Sequence, residues 1–556
     1  MPRPKKKTSP SETSRKNVLK NIENKVSSIQ KVVAKIKTDF QESLPNTSLN
    51  PPSPSTPTDP PLPQTTSELP PPHEFQEIAS VIVISLPMAA MPMRIPDFLN
   101  NLSTNTLPTY FLYSLLAAGY RIKRSSPDSQ IVQQEAAYAE TASKLLKQAT
   151  TRSDPYYIWS CILLSVYYSG ICKPFTSFEH VGNAINVAKL LKYHQLDLPT
   201  NKNLFRNLSG EQKEFRRRIW WSCYVSASSI LSVSAIPKLI DNKDCFVNLP
   251  SNDFYWKYGG PIQNCSKQLK SLNVASLKVN NAIPLQKSFY FFSLKAHILS
   301  TTVSDFLTTR WNKKNKSDSE TSNKIHSFIT QLEQIKTQVN DVFQPSSTQA
   351  FSYSDTEALI INDHLKTLHS TQLLYTKALL NFIKVSLLQS ELVFVDSRNV
   401  SPESIRSVKS ELIQTALAQA GLFQWASDTI PIMLWESETA TWIFTSAMAL
   451  LNARLLKDHH LIDSINSSYT ILVQSLRSTQ KYYDFSHLYM QYLVYIITAI
   501  KNKNDSDLNL SSNPNSKFAI STQDFQPWIV PIYSSFQKFT CCNDSNFFGI
   551  KNSTNK

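Results

Sequence analysis

Residues 214–250 read EFRRRIWWSCYVSASSILSVSAIPKLIDNKDCFVNLP. Arg216, Arg217 and Arg218 run straight into Trp220 and Trp221, and a long apolar stretch follows. Pro237 breaks that stretch, and Asp241 and Asp244 come before Leu249 and Pro250. In a helix, Phe215, Ile219, Ser222 or Cys223, and Ser226 share one face, and Trp220, Tyr224, Ala227 and Leu231 cover a flanking one. Two indoles there fill gaps between neighbouring helices, and each N–H needs an acceptor. The acids returning after the Pro237 turn suggest a bidentate clamp, with Arg217 and Arg218 gripping Asp241 and Asp244. The competing reading has the arginines gripping phosphate beside indoles that stack on bases. An aromatic pair inside an apolar helix is more often core. The stretch holds no nucleophile with a base and no metal cage.

The rest of the chain points to helices. Only 8 of 556 residues are Gly, which gives little support to folds built on Gly-rich phosphate loops, and neither GxGxxG nor GxxxxGK[ST] occurs. Helical spacing recurs at Ile131, Glu135, Tyr138, Ala142, Leu145 and Ala149, and again at Val181, Ile185, Ala188 and Leu191. Residues 157–168 are apolar all round, as in a buried helix. Residues 311–324 form a polar break, after which Phe328, Leu332, Ile335 and Val339 resume the pattern. It continues through 359–388 and 404–456. The expected fold is all-α, an irregular multi-helix array with a short N-terminal coiled coil and disordered linkers.

Charge and punctuation divide the chain. The formal net charge is +15, and residues 1–40 hold eleven Lys or Arg against three acids. Residues 1–17 read as a basic disordered arm, in which Arg3, Lys5, Lys6 and Lys7 suit a nuclear import receptor, nucleic acid or another anionic surface. A merely solvated tail is the alternative. Leu19, Ile22, Val26, Ile29, Val33, Ile36 and Phe40 follow an a/d heptad, so residues 18–42 read as a short coiled coil. A helix this short needs a partner, either a second chain or its own domain. Eleven prolines between 45 and 72 mark residues 43–74 as a stiff Pro/Ser/Thr-rich linker. The globular halves are expected at 75–310 and 325–500, and 501–556 as a polar linker with an aromatic tail.

Several candidate sites read as bland. The seven Cys form no CxxC, and their scatter argues for a reducing compartment. No apolar run is long enough to cross a bilayer, so no membrane partner is expected. His459 and His460 lack partner ligands nearby and read as a solvated loop. Glu436 and Glu438 follow Trp435, and surface charge is the default reading for them. Asp524, Phe525, Pro527 and Trp528 suit either an acidic–aromatic activation segment or docking of the tail on the body. No catalytic constellation emerges, so no enzyme is expected.

From about residue 107 to 249 the chain resembles the middle homology (regulatory) domain of fungal binuclear zinc-cluster transcription factors. Ala136, Tyr138, Ala142, Leu145 and Leu146 are similar to the family's "Y-x-x-A-r-x-L-l" helix. Residues 181–188, then Leu191, Lys192, Tyr193 and His194, resemble "G-x-A-i-R-m-A-x-x-L-G-L-H". Phe215, Arg217, Arg218, Trp220 and Trp221 resemble "E-x-R-R-R-l-W-W-x-l-y". Pro237, Asp241, Asp244 and Pro250 resemble the continuation, "G-r-P-x-x-I-d-d-x-D-i-x-l-P". The chain departs from the pattern at Lys192, where Gly is usual, at Asn186, where Arg is common, and at Ala235 and Ile236, where Gly-Arg is frequent.

The resemblance implies a nuclear regulator of transcription by RNA polymerase II, whose middle domain responds to a ligand or partner. It also implies DNA, a homo- or heterodimer and a small-molecule effector as partners. The family holds two zinc ions on six Cys in its DNA-binding element, and this chain has no such set, so it carries neither that cofactor nor that module. A basic linker and short coiled coil follow the cluster in the family, so the chain reads as beginning just after it. Either an upstream exon is missing from the sequence or the protein lacks the cluster. DNA contact by the chain as it stands would be mostly to phosphates and steeply salt-dependent. The alternatives are a cluster-less co-regulator that dimerises with zinc-cluster relatives, and an α-helical scaffold or enzyme without a recognisable site.

Overall fold

The structure, a computed structural model, describes residues 69–122, 129–233, 238–251, 253–259, 289–310, 318–342, 358–392, 401–454 and 461–501. Every described residue lies in one unit, Ser67–Lys556. The basic arm, the heptad stripe at 19–40, Pro237, His459, His460 and the aromatic tail lie outside the described residues.

Among the described residues there are helices and no strands. In chain order they are α1 Pro72–Ser85, α2 Ile95–Ser103, α3 Thr109–Ile122, α4 Ser129–Gln148, α5 Pro155–Gly170 and α6 Pro174–Leu190. Then come α7 Gly210–Val233, α8 Asp253–Tyr258, α9 Phe289–Arg310, α10 Asp318–Val342 and α11 Ala358–Glu391. The last four are α12 Pro402–Thr429, α13 Thr439–Ala453, α14 Ile462–Thr479 and α15 Asp484–Lys501. The all-α array expected from the sequence is what the chain forms.

Proline starts many of these helices. Pro72, Pro155, Pro174 and Pro402 each occupy the first turn, where the missing N–H has no intrahelical partner to lose. Asp154 caps α5 by accepting from Tyr156 N, and Ser401 caps α12 by accepting from Ser404 N. The helix α10 begins at Asp318, inside the segment expected as a polar break. A polar run is compatible with helix there, because intrinsic propensity is a weak preference that tertiary packing overrides.

The helices pack mainly in sequential pairs: α3 on α4, α5 on α6, α11 on α12 and α13 on α14. Further contacts of α3 with α5, α7 with α9, and α9 with α11 join the pairs. One hydrophobic core results, running from Phe75 to Leu493. Gly119 lets α3 approach α1, because a Cβ there would lie 2.3 Å from Ile78 Cγ2.

The connection after α1 enters this core without being a helix. Residues 86–93 are all buried, so backbone carbonyls along them need partners, and Met93 N supplies that of Ala90. Side chains supply others. Tyr290 OH donates to Pro87 O (2.7 Å), Ser222 Oγ to Met88 O (2.8 Å) and Trp159 Nε1 to Ala89 O (2.8 Å). Arg218 Nη1 donates to Met91 O (3.2 Å) and Trp256 Nε1 to Pro92 O (3.2 Å). The apolar run broken by Pro87 and Pro92 is therefore a buried strap across several helices.

Candidate functional site: a buried ionic clamp and the recess beside it

The segment around Arg217 and Arg218 organises the first half of the body. Helix α7 opens with a reciprocal cap: Gln212 N donates to Ser209 Oγ and Ser209 N donates to Gln212 Oε1, both at 3.1 Å. One turn later the helix enters the core. Arg218, Ile219, Trp220, Trp221 and Cys223 are fully buried, and Arg217 is 7 % exposed. The expected pair of faces is thus wrapped on nearly every side.

The arginines form a clamp, with different partners from those expected. Arg217 makes the bidentate pair with Asp197, Nη2 to Oδ1 at 2.6 Å and Nε to Oδ2 at 3.1 Å. It also donates through Nη1 to Glu214. Arg218 Nε donates to Glu214 Oε1 at 2.8 Å, and Arg218 Nη1 to Asp253 Oδ1 at 3.0 Å. Glu214 in turn accepts from Ser251 N (2.7 Å), and Arg218 Nη2 donates to Ser251 O (2.8 Å). Lys257 Nζ closes the row 3.3 Å from Asp253 Oδ2. The return segment after position 237 is held on α7, as the sequence suggested. The acids that hold it are Asp197, Glu214 and Asp253.

Asp241 and Asp244 are exposed and stand outside this network. Asp241 accepts from Lys243 N at 3.1 Å and lies 3.8 Å from Lys238 Nζ. The reason is geometric. Asp197 lies beside the return segment already, where Phe246 N donates to His194 O and Asn248 N donates to Asp197 Oδ2, both at 2.7 Å. Pro250 is buried beside the clamp.

The electrostatics follow from burial. Burial would raise the Glu214 pKa, but Arg217 and Arg218 beside it and the Ser251 N–H hold it below the ordinary carboxylate value. Burial likewise opposes the charge on Arg217, and Glu214 and Asp197 override it and raise its pKa. Burial lowers the Lys257 pKa, and Asp253 offsets part of that shift.

The phosphate-gripping alternative does not fit this geometry. Arg217 and Arg218 are buried and paired, and Trp220 and Trp221 have no exposed face for a base. Arg216 bonds to Gln212 O at 2.9 Å and lies over the Tyr193 ring. Trp221 Nε1 finds its acceptor in Asn248 O at 2.8 Å. Among the described residues Trp220 Nε1 has none, and its ring packs against His194 with centroids 5.7 Å apart.

A recess of about 150 Å³ opens beside the clamp, between the strap, α2, α5, α7 and α8. Tyr156, Trp159 and Phe215 wall it, their ring centroids 5.4 to 6.1 Å apart. Arg94 lies at its edge with its side chain only 9 % exposed. Nη2 of Arg94 donates to Glu211 Oε1 at 3.0 Å, Nε lies 3.2 Å from Asp97 Oδ2, and Nη1 has no hydrogen-bond acceptor among the described residues. Trp256 is shared between recess and clamp, with the guanidinium carbons of Arg94 and Arg218 at 5.3 and 5.1 Å from its ring.

Glu436 and Glu438 correct the surface-charge expectation. Glu436 is 5 % exposed and Glu438 half-buried, because Trp435 beside them is fully buried and draws the connection inward. Burial first, then the neighbouring Glu438, raise the Glu436 pKa well above the ordinary value, and burial raises that of Glu438. Among the described residues no group of three or more His, Cys, Asp or Glu is placed to hold a metal ion, and no helix is long and apolar enough to cross a membrane.

Sequence reasoning missed Asp197, Asp253, Lys257, Arg94 and Trp256. The Glu214 spacing of three and four residues from Arg217 and Arg218 is a local signal that was there to use. The spacings of four between Asp253 and Lys257 and of three between Arg94 and Asp97 are signals of the same kind, whereas Asp197, Asp253 and Trp256 reach the arginines only through tertiary contact.

Residues 93–340 match the family model described as the fungal specific transcription factor domain. An uncharacterised transcriptional regulatory protein of Schizosaccharomyces pombe is 28% identical over 169 residues, covering 28% of this chain and 17% of its own length. A Zn(2)-C6 fungal-type transcription factor of Fusarium oxysporum f. sp. lycopersici is 27% identical over 173 residues, covering 30% of this chain and 18% of its own. The similarity thus spans less than a fifth of either relative. No solved structure matches.

Proposed function

With residues 93–340 forming a fungal specific transcription factor domain, we propose that the chain regulates transcription by RNA polymerase II in a fungal nucleus. The observation that carries the reading is that the buried clamp, from Asp197 to Lys257, falls inside the matched segment. Both relatives described above are named as transcriptional regulators or transcription factors, which supports the same reading. The helical body serves as the module that responds to a ligand or partner. DNA, a second copy or a zinc-cluster relative, and a small effector are its proposed partners. The transcription-factor family points to a non-enzyme.

The test is chromatin immunoprecipitation of the tagged full chain in its own cells. The reading expects enrichment at discrete promoters. Recovery at background level across the genome would overturn it. Replacing Lys5, Lys6 and Lys7 by Ala is expected to move a fluorescent fusion out of the nucleus, which tests the import role given to the arm.

A further inference from the structure

We propose that the recess beside Arg94 binds a small, uncharged ring compound through an acceptor oxygen such as a carbonyl. Size is the first argument. A cavity of about 150 Å³ with apolar walls takes a molecule the size of benzene, and this recess has that volume. Its walls are the second. Tyr156, Trp159 and Phe215 present aromatic surface, and aromatic rings pair with one another edge to face or offset.

Arg94 fixes the polar end. Its side chain is nine-tenths buried, and Nη1 has no acceptor among the described residues. A buried donor left unpaired carries a desolvation cost that an incoming acceptor removes. The charge around it decides which acceptor. Asp97 and Glu211 both engage Arg94, so the three groups together are net negative by one. An anion therefore meets two carboxylates, and a cation meets the guanidinium. An uncharged oxygen satisfies Nη1 and faces neither penalty.

The recess also connects to the clamp. The Trp256 ring lies within reach of both Arg94 and Arg218. A ligand that shifts Arg94 changes what Trp256 packs against, and hence the contacts of Arg218. That biological role rests on the reading of the body as a regulatory module, whereas the binding does not.

Four ring probes of nearly equal size separate the possibilities on the full chain: benzamide, benzoate, benzylammonium and toluene. Saturation-transfer NMR is expected to give saturable binding of benzamide, at least about tenfold tighter than toluene, as one recovered hydrogen bond to a charged donor implies, and tighter than benzoate or benzylammonium, each of which meets a like charge. Gln212 is exposed at the mouth. Gln212→Trp should weaken benzamide binding at least about tenfold by filling the recess, whereas Gln212→Ala, which loses the same Ser209 N–H contact without filling it, should leave that binding unchanged. The pair Asp97→Asn and Glu211→Gln should reverse the preference between benzamide and benzoate. No saturation with benzamide, an unchanged affinity in folded Gln212→Trp, or an unchanged probe order in the Asp97/Glu211 variant would each overturn the proposal. Saturable benzamide binding with the expected probe order, in a chain that shows no promoter enrichment, would sink the transcription reading and leave this one standing.

Discussion

Glu214 holds two guanidinium groups at once, and losing either one leaves a carboxylate short of counter-charge inside the core. Breaking a buried pair from one side typically costs about 3–5 kcal/mol. Arg218→Met should therefore lower unfolding stability by roughly that amount, read from urea titration at neutral pH. Asp241→Ala should cost less than about 1 kcal/mol, since Asp241 is exposed and bonds only locally. The reverse order would restore the clamp first expected from the sequence. Glu214 has a lowered folded pKa, so its contribution is present above pH 4.5, its ordinary value, and is lost as acid passes the lowered one. Lys192 sits at φ 60° and ψ 25°, the left-handed region that suits Gly. Lys192→Gly should stabilise the chain by about 0.5–1 kcal/mol. This departure was legible, because the family pattern has Gly there. The Asp197 and Asp253 pairings were not, since nothing local to 214–250 names a partner outside it.

At the scale of elements, the sequence is clearest where a helix carries its own signals. Proline first turns, the Ser209–Gln212 cap and the periodicity of 181–188 all mark helices that are there. The buried connections were harder to see. Residues 86–93 are apolar and Pro-broken, and only the tertiary hydrogen bonds show them to be a strap through the core. The connection 430–438 misled for the same reason, since charged letters read as surface while Trp435 anchors them inside. Glu436 gives that element a pH dependence. Its folded pKa is raised, so the fold favours the protonated form. The contribution is full below pH 4.5, the ordinary value, and is lost as pH rises through the raised one. Glu436→Gln should therefore raise the melting temperature at pH 8 and flatten its decline between pH 5 and pH 8. A decline identical to that of the parent chain would show that Glu436 is not the titrating group.

On the scale of the whole molecule, the family match and the packing have different limits. The match ends at residue 340, whereas the core continues through α11, α12, α13, α14 and α15. Helix α9, inside the match, packs on α11, outside it. Residues 93–340 expressed alone should therefore expose apolar surface and bind a hydrophobic dye that the full chain does not bind. A dye-free, cooperatively melting fragment would place the folding boundary where the match ends. The all-α class was legible from scarce Gly and recurrent 3.6-residue spacing, but the merging of both halves into one core was not. Helical periodicity says which face is buried and leaves open what buries it. The central claim is that this core is a regulatory module for transcription, with the clamp as its architectural centre. It is tested most directly by tethering the full chain to a foreign DNA-binding module upstream of a reporter gene. The account predicts that output rises or falls relative to the module alone, and that Arg218→Met at equal nuclear level abolishes the change. Output equal to that of the module alone, with the intact fusion present in the nucleus, would contradict it.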